Sequence, residues 1–270
     1  MMPKEIASLQ NPVLKMINQL QKKKAVRKKE GLFVVEGLRA VREITKEFEV
    51  EYYVTTKEVE VKDLPGLEKS KWIVVPTALY KAISETEAPQ GVMAVVKMPN
   101  CKLQDLVLKE RGFYLILENL QDPGNMGTII RTAHAFGANG ILITKGSVDV
   151  FSPKVVRSTM GSLFHVPLVV DCEIEEYREV LRQAEIPIYA TALEEAKPIY
   201  HINFVNPLAI VIGNEGNGVS DYIKKAADYK MMIPMPGGSE SLNASVATSI
   251  CIYEVMRQLE VNAQSCIPKE

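Results

Sequence analysis

The chain has 270 residues, 47% of them apolar and 24% charged, and a formal net charge of −1. That length holds one large domain or two ordinary ones, and that composition belongs to a soluble globular protein with a sizeable core. No apolar run approaches the roughly 18 residues that a membrane span needs.

The near-neutral total hides an asymmetry. Residues 1–46 hold eleven Lys or Arg against four Glu, so the remainder is acidic. A locally basic end is the charge pattern of a nucleic-acid-docking module. Cys101, Cys172, Cys251 and Cys266 are widely spaced, with no zinc-like spacing to His134, His165 or His201. No metal is expected. Met1-Met2-Pro3-Lys4 leads into a polar helix, not a signal-peptide core, so a cytoplasmic location is expected.

In chain order, Val13, Leu14, Ile17 and Leu20 predict a helix over residues 11–24 that runs into Lys22-Lys23-Lys24. Leu32 to Val35 reads as a buried strand, and Leu38, Val41 and Ile44 predict a helix from Gly37 to Glu47. Glu51 to Thr55 and Lys71 to Val75 are further strands, separated by a Pro65-Gly66 turn. Gly91 to Val96 closes this alternating region, an α/β domain over residues 1–96. Residues 97–111 break the pattern and are the candidate linker.

A second series, residues 112–270, opens with the strand Phe113 to Leu117. Strand-like runs follow at Gly140–Ile143, Val166–Val170, Ile186–Ala190, Leu208–Ile212 and Lys230–Ile233, with helical patterns such as Glu173–Gln183 between most of them. Near-continuous apolar strands alternating with helices predict a mostly parallel sheet covered on both faces. The last predicted helix, Leu242 to Leu259, carries Val246, Ile250, Ile252, Tyr253 and Val255 almost all round, which predicts burial on most faces.

Three segments carry chemistry. Glu118 to Arg131 holds a turn, Asp122-Pro123-Gly124, then Asn125 in a capping position and Arg131 further along the helix. Gly213-Asn214-Glu215-Gly216-Asn217-Gly218-Val219-Ser220 follows an apolar strand, and Ile233 to Ala247 follows another. Glycines at strand ends let backbone approach a ligand, and that edge of an open α/β sheet is where ligands bind. Neither loop has the order of a phosphate cradle, and Glu215 sits where a phosphate site wants positive charge. A net-cationic or zwitterionic cofactor fits better.

Together these segments resemble the SpoU/TrmH family of ribose 2′-O-methyltransferases. The match is N-x-G-x-x-x-R at Asn125–Arg131, G-N-E-G-x-G-V-S at Gly213–Ser220, and I-P-M-x-G-x-x-x-S-L-N-x-S-x-A at Ile233–Ala247, in the family's order. Ser152 to Ser162 is similar to the family's connecting segment. The resemblance implies a Rossmann-like, mostly parallel α/β domain with a deep trefoil knot, S-adenosylmethionine as cofactor, and a homodimer packed through the last helix. It assigns cofactor contacts to Thr191, Gly213, Ile233 and Leu242. It assigns catalysis to Asn125, Arg131, Glu215, Ser241 and Asn243, with Glu215 able to hold Arg131. Arginine's high pKa favours Arg131 as a stabiliser of the developing alkoxide over Arg131 as a base.

The N-terminal domain resembles the family's auxiliary substrate-binding domain, similar to a ribosomal protein L30e fold, through Phe33-Val34-Val35-Glu36-Gly37. That resemblance makes Lys22, Lys23, Lys24 and Arg27 the candidate RNA contacts. Ribosomal RNA is expected as substrate before tRNA, with a guanosine as the nucleotide. A non-catalytic RNA-binding protein of the same fold is the competing reading.

Overall fold

A computed structural model describes residues 3–59, 64, 71–106 and 111–265 of the chain. The Pro65-Gly66 turn, linker residues 107–110 and Cys266 lie outside the described residues. The chain divides into two compact units, Met1–Asn100 with Asp149–His165, and Cys101–Val148 with Val166–Glu270.

In the first unit, a short strand β1 (Lys4–Glu5) precedes α1 (Pro12–Lys22). Asn11 starts that helix by accepting the Val13 N–H at 2.9 Å, and Pro12 supplies a φ suited to the first turn. Leu14, Ile17 and Leu20 form its buried face. The expected single helix to Lys24 is broken at Lys23, which is extended, and α2 (Lys24–Glu30) ends on Gly31 at φ 63°. β2 (Leu32–Glu36), α3 (Leu38–Arg42), β3 (Val50–Thr55), β4 (Lys71–Val74), α4 (Thr77–Ile83) and β5 (Val92–Lys97) follow. α3 is shorter than the expected Gly37–Glu47, ending at Arg42 before a turn.

The strands pair in the order β1-β4-β3-β5-β2, with β2 and β3 antiparallel to β5. The alternation of β2 explains what covers each face. Leu32 and Val34 join Leu14, Ile17, Leu20, Tyr80 and Ile83 in one core cluster. Phe33 points the other way, its ring 4.9 Å from that of Phe151, and Phe164 packs edge-on against Phe48 at 4.9 Å. The second face is therefore covered by residues far along the chain, from Asp149–His165, including the helix Pro153–Ser158. Each large side chain buried this way contributes about 1.5–3 kcal/mol.

With Pro153–Ser158 of the first unit counted as α6, the second unit holds β6 (Phe113–Leu117), α5 (Pro123–Ala135), β7 (Gly140–Thr144), β8 (Leu168–Cys172), α7 (Ile174–Gln183) and β9 (Ile188–Thr191). β10 (Lys197–Pro198), β11 (Leu208–Ile212), α8 (Asp221–Ala226), β12 (Tyr229–Met232) and α9 (Ala244–Ser265) complete it. Its strand order is β10-β12-β9-β11-β6-β7-β8, and every pair in it is parallel. This is the expected fold class. The central strands β6 and β11 are buried at every residue of Phe113–Leu117 and Leu208–Ile212, because helices cover both faces. The order reverses beside β6, with β7 on one side and β11 on the other, so the loops after β6, β9, β11 and β12 gather at one edge.

Two expectations about helices are corrected. Asp122, not Asn125, caps α5, its carboxylate accepting the Asn125 N–H at 2.7 Å. Pro123, which needs no N–H partner, begins the helix earlier than the pattern suggested. In α9, Cys251, Ile252 and Val255 are buried, but Val246 is 47%, Ile250 37% and Tyr253 60% exposed. That helix has an uncovered apolar stripe in the single chain.

Candidate active site

The loop after β11 folds back on itself. Asn214 and Gly218 exchange backbone hydrogen bonds of 3.0 and 2.9 Å, and the Asn214 side chain accepts the N–H groups of Gly216 and Asn217 at 3.0 Å. A Cβ on Gly213 would overlap the backbone of Gly218 and Val219. The glycine is thus required by the loop's own closure, where the sequence suggested only close approach to a ligand.

At the crest of this loop, Glu215 reaches across to the loop after β6. Its carboxylate accepts the N–H groups of Gln121 at 3.0 Å and Asp122 at 2.9 Å, and the Asn125 Nδ2 at 3.1 Å. Burial pushes this carboxyl up, but the bonds from Asp122, Gln121 and Asn125 outweigh it, so Glu215 titrates below the usual glutamate range. Asn125, 7% exposed, uses its other amide atom as well, because Oδ1 accepts Asn243 Nδ2 at 2.9 Å. Asn243 Oδ1 then accepts from Ser245 N and Oγ, at 2.9 and 2.6 Å, at the start of α9. One chain of hydrogen bonds therefore joins all three motifs.

Beside it lies a cavity of about 750 Å³, within the usual range for small-molecule sites. Thr191, Gly213, Ile233 and Leu242, the four residues expected to hold the cofactor, all line it, as do Glu215 and Ser241. Three other lining residues carry no signal in the sequence. Leu193 is 66% exposed in the loop after β9, Lys230 pairs with Glu195 at 2.7 Å, and Cys251 is buried, its thiol pushed up to about 12 by that burial. Backbone-rich walls, apolar side chains such as Met231 and Ile233, and both acids and lysines at the rim fit a bulky zwitterionic cofactor.

Arg131 is exposed on α5, and within the single chain it makes no ion pair with Glu215, which bonds to Gln121, Asp122 and Asn125. Ser241 is exposed as well. Among the described residues, no His, Cys, Asp and Glu side chains group in a way that could hold a metal ion.

In the first unit, Lys22, Lys23 and Lys24 are exposed at the break between α1 and α2. Arg27 is different. It is 4% exposed, with Nε and Nη2 at 2.9 and 2.5 Å from Asp149 Oδ2 and Nη1 donating to the carbonyls of Leu20 and Gln21. It cannot serve as an exposed RNA contact, because its guanidinium closes the C-terminal end of α1 onto Asp149. The basic run in the sequence looked uniform, and only the acid far along the chain separates Arg27 from its neighbours.

A family model described as the SpoU rRNA methylase family matches residues 112–253, more than half of the chain. The chain belongs to the SpoU rRNA methylase family. A second model, an MRM3-like substrate-binding domain, matches residues 11–94. The chain is 35% identical over 257 residues to the 23S rRNA (guanosine(2553)-2′-O)-methyltransferase RlmP of Bacillus subtilis, covering 93% of this chain and 99% of that protein. It is 36% identical over 190 residues to a 23S rRNA (uridine(2479)-2′-O)-methyltransferase of Streptomyces viridochromogenes, covering 68% of this chain and 66% of that protein. The crystal structure of an AdoMet-bound rRNA methyltransferase from Sinorhizobium meliloti superimposes with a TM-score of 0.85 at 30% identity, covering 95% of this chain and 98% of that one. The hydrogen-bonded chain Glu215–Asn125–Asn243 thus runs through the SpoU-matched region.

Proposed function

We propose that this SpoU-family chain transfers a methyl group from S-adenosylmethionine to a ribose 2′-hydroxyl of 23S ribosomal RNA, with a guanosine as the nucleotide. The observation that carries this reading is the joining of the three motifs by Glu215, Asn125 and Asn243 at the lip of a cavity lined by Thr191, Gly213, Ile233 and Leu242. The near full-length match to a guanosine-specific relative supports the choice of nucleotide over uridine. The activity is cytoplasmic in this reading, in keeping with described helices of which none is long and apolar enough to cross a membrane.

When bound, S-adenosylmethionine supplies an electrophilic methyl group. The protein's part is to hold the 2′-oxygen in line and help its proton leave, and alignment alone accounts for several kcal/mol of such a barrier. Arg131 donates to the 2′-oxygen and stabilises the charge that develops as the proton passes to a neighbouring RNA phosphate oxygen. Ser241, exposed at the cavity lip, holds the ribose edge or phosphate. Asn125 and Asn243 hold Glu215 and the start of α9 in register. The loop-lined cavity is the part of the fold that the trefoil knot would tighten.

A homodimer completes the reading. Thr128 lines an apolar depression with Val246, Ile250 and Tyr253 on α9. Arg131 follows Thr128 by about one helical turn, so a second copy seated on this stripe meets the face of α5 that carries Arg131. The exposed Lys22, Lys23 and Lys24 bind RNA phosphates.

The test is methyl transfer from labelled S-adenosylmethionine to a 23S rRNA transcript, with digestion to locate the label. Label on a guanosine 2′-oxygen is the expected result. RNA binding without transfer would support the non-catalytic alternative, and transfer only to tRNA would overturn the substrate.

A further inference from the structure

The loops after β6 and β11 exchange carboxylates. Glu215, from the second loop, accepts two backbone N–H groups of the first, those of Gln121 and Asp122. In the opposite direction Glu118, just past β6, places Oε2 2.8 Å from the N–H of Ser220, the last residue of the Gly213–Ser220 loop. The backbone of Glu118 also donates to the carbonyl of Ile212 at 2.8 Å, at the first foot of the same loop. One residue thus bridges both feet of the loop. Ser220 uses its hydroxyl separately, accepting the Ile223 N–H at 3.3 Å to cap α8.

Glu118 is only 6% exposed. A carboxylate taken out of water at the end of an apolar strand is costly unless a charge-assisted hydrogen bond offsets it, and an apolar side chain would fill the same volume at less cost. The bond it makes goes to a loop whose Gly213, Glu215 and Val219 line the cavity, while Glu118 itself does not line it.

We propose that Glu118 is a positioning residue for methyl transfer: it fixes the span between the feet of the Gly213–Ser220 loop, and through that span the cavity wall and the Glu215 carboxylate, without touching cofactor or RNA. This rests on the functional reading above. Glu118→Gln keeps an acceptor oxygen at the same reach, whereas Glu118→Ala removes it and Glu118→Asp draws it back by one methylene.

The experiment measures S-adenosylmethionine affinity by calorimetry, single-turnover methylation of a 23S rRNA transcript, RNA affinity and thermal stability on the full chain. Glu118→Ala should weaken cofactor binding by about tenfold, the scale of a missing charge-assisted hydrogen bond. It should slow single turnover by up to about a hundredfold, the scale of a small misplacement of reacting groups. RNA affinity should stay unchanged, and Glu118→Gln, which keeps the acceptor without its charge, should restore most of both properties. A folded Ala variant with wild-type cofactor affinity and rate overturns the proposal, as does a Gln variant as impaired as Ala. If Ala does not fold, Asp carries the test: impairment beside a near-normal Gln supports the proposal, and wild-type behaviour overturns it. Failure of the wild-type chain to bind S-adenosylmethionine would instead count against the functional reading.

Discussion

Asn243 donates from Nδ2 to Asn125 Oδ1 at 2.9 Å, and Asn125 donates in turn to Glu215 at 3.1 Å. Both ends of the Asn125 amide are therefore engaged, and the direction of each bond is fixed by the carboxylate at one end and the helix start at the other. Glu215 is held below the usual glutamate range in the folded chain. A depressed carboxyl stabilises the fold above its unfolded pKa, and the contribution is lost as pH falls through the folded value. At neutral pH the network is intact, and it loosens only in acid.

Asn125→Asp removes the donor and sets a second carboxylate against Glu215. Like charges at that distance raise the pKa of the pair. The acid limb of the single-turnover pH profile should move to higher pH, with a lower rate at neutrality. An unmoved limb would mean that Asn125 does not act through Glu215.

Arg131→Lys separates two roles for the guanidinium. Lysine keeps the charge but loses the planar fork, and its lower pKa would make it a usable base. If Arg131 holds the 2′-oxygen, Lys should fail nearly as badly as Ala, by about 10² to 10³ in single turnover, as for other preorganised oxyanion donors. Cofactor affinity should not change, because Arg131 does not line the cavity. Near-normal turnover in the lysine variant, rising through lysine's titration range, would assign Arg131 the role of base.

Arg27 and its lysine neighbours should part company under mutation. Arg27→Met leaves the Asp149 carboxylate without its cation and should cost about 3–5 kcal/mol in denaturant unfolding, whereas the double change Arg27→Met with Asp149→Leu should recover part of it, because the Phe151 N–H then loses its Asp149 acceptor. Replacing Lys22, Lys23 and Lys24 with Ala should leave stability nearly untouched and flatten the salt dependence of RNA binding, by about 0.7–0.9 for each phosphate no longer neutralised. An unchanged salt slope would make that run a solvated helix junction and nothing more.

Ile250→Asp tests the apolar stripe on α9. A charge at a position 37% exposed in the single chain should leave the monomer folded while preventing self-association. Sedimentation should give a dimer for the wild type and a monomer for the variant. A dimeric variant would move the interface elsewhere.

Much of this site was legible because it depends on local chemistry. Glycines, strand ends and the order of Asn125, Glu215 and Asn243 are written along the chain, and the parallel sheet follows from apolar runs such as Leu208–Ile212. Relations between distant residues were not legible. Arg27 reads like Lys24 until Asp149 is brought to it, and Glu118 reads as an ordinary acid after a strand until the Ser220 N–H arrives 2.8 Å away. Periodicity also overstated the burial of α9, since an apolar stripe that a single chain leaves open looks the same in sequence as one that it covers.

The placement of Asp149–His165 with the N-terminal residues bears on how this protein can be cut and recombined. A fragment ending at residue 100 would leave the Phe33 ring without Phe151 and the Arg27 guanidinium without its acid. The first unit is therefore not a detachable cassette. Grafting it onto another catalytic partner would require that partner to donate a matching excursion of its own chain, so a swap between relatives should preserve function only when the 149–165 segment travels with residues 1–100.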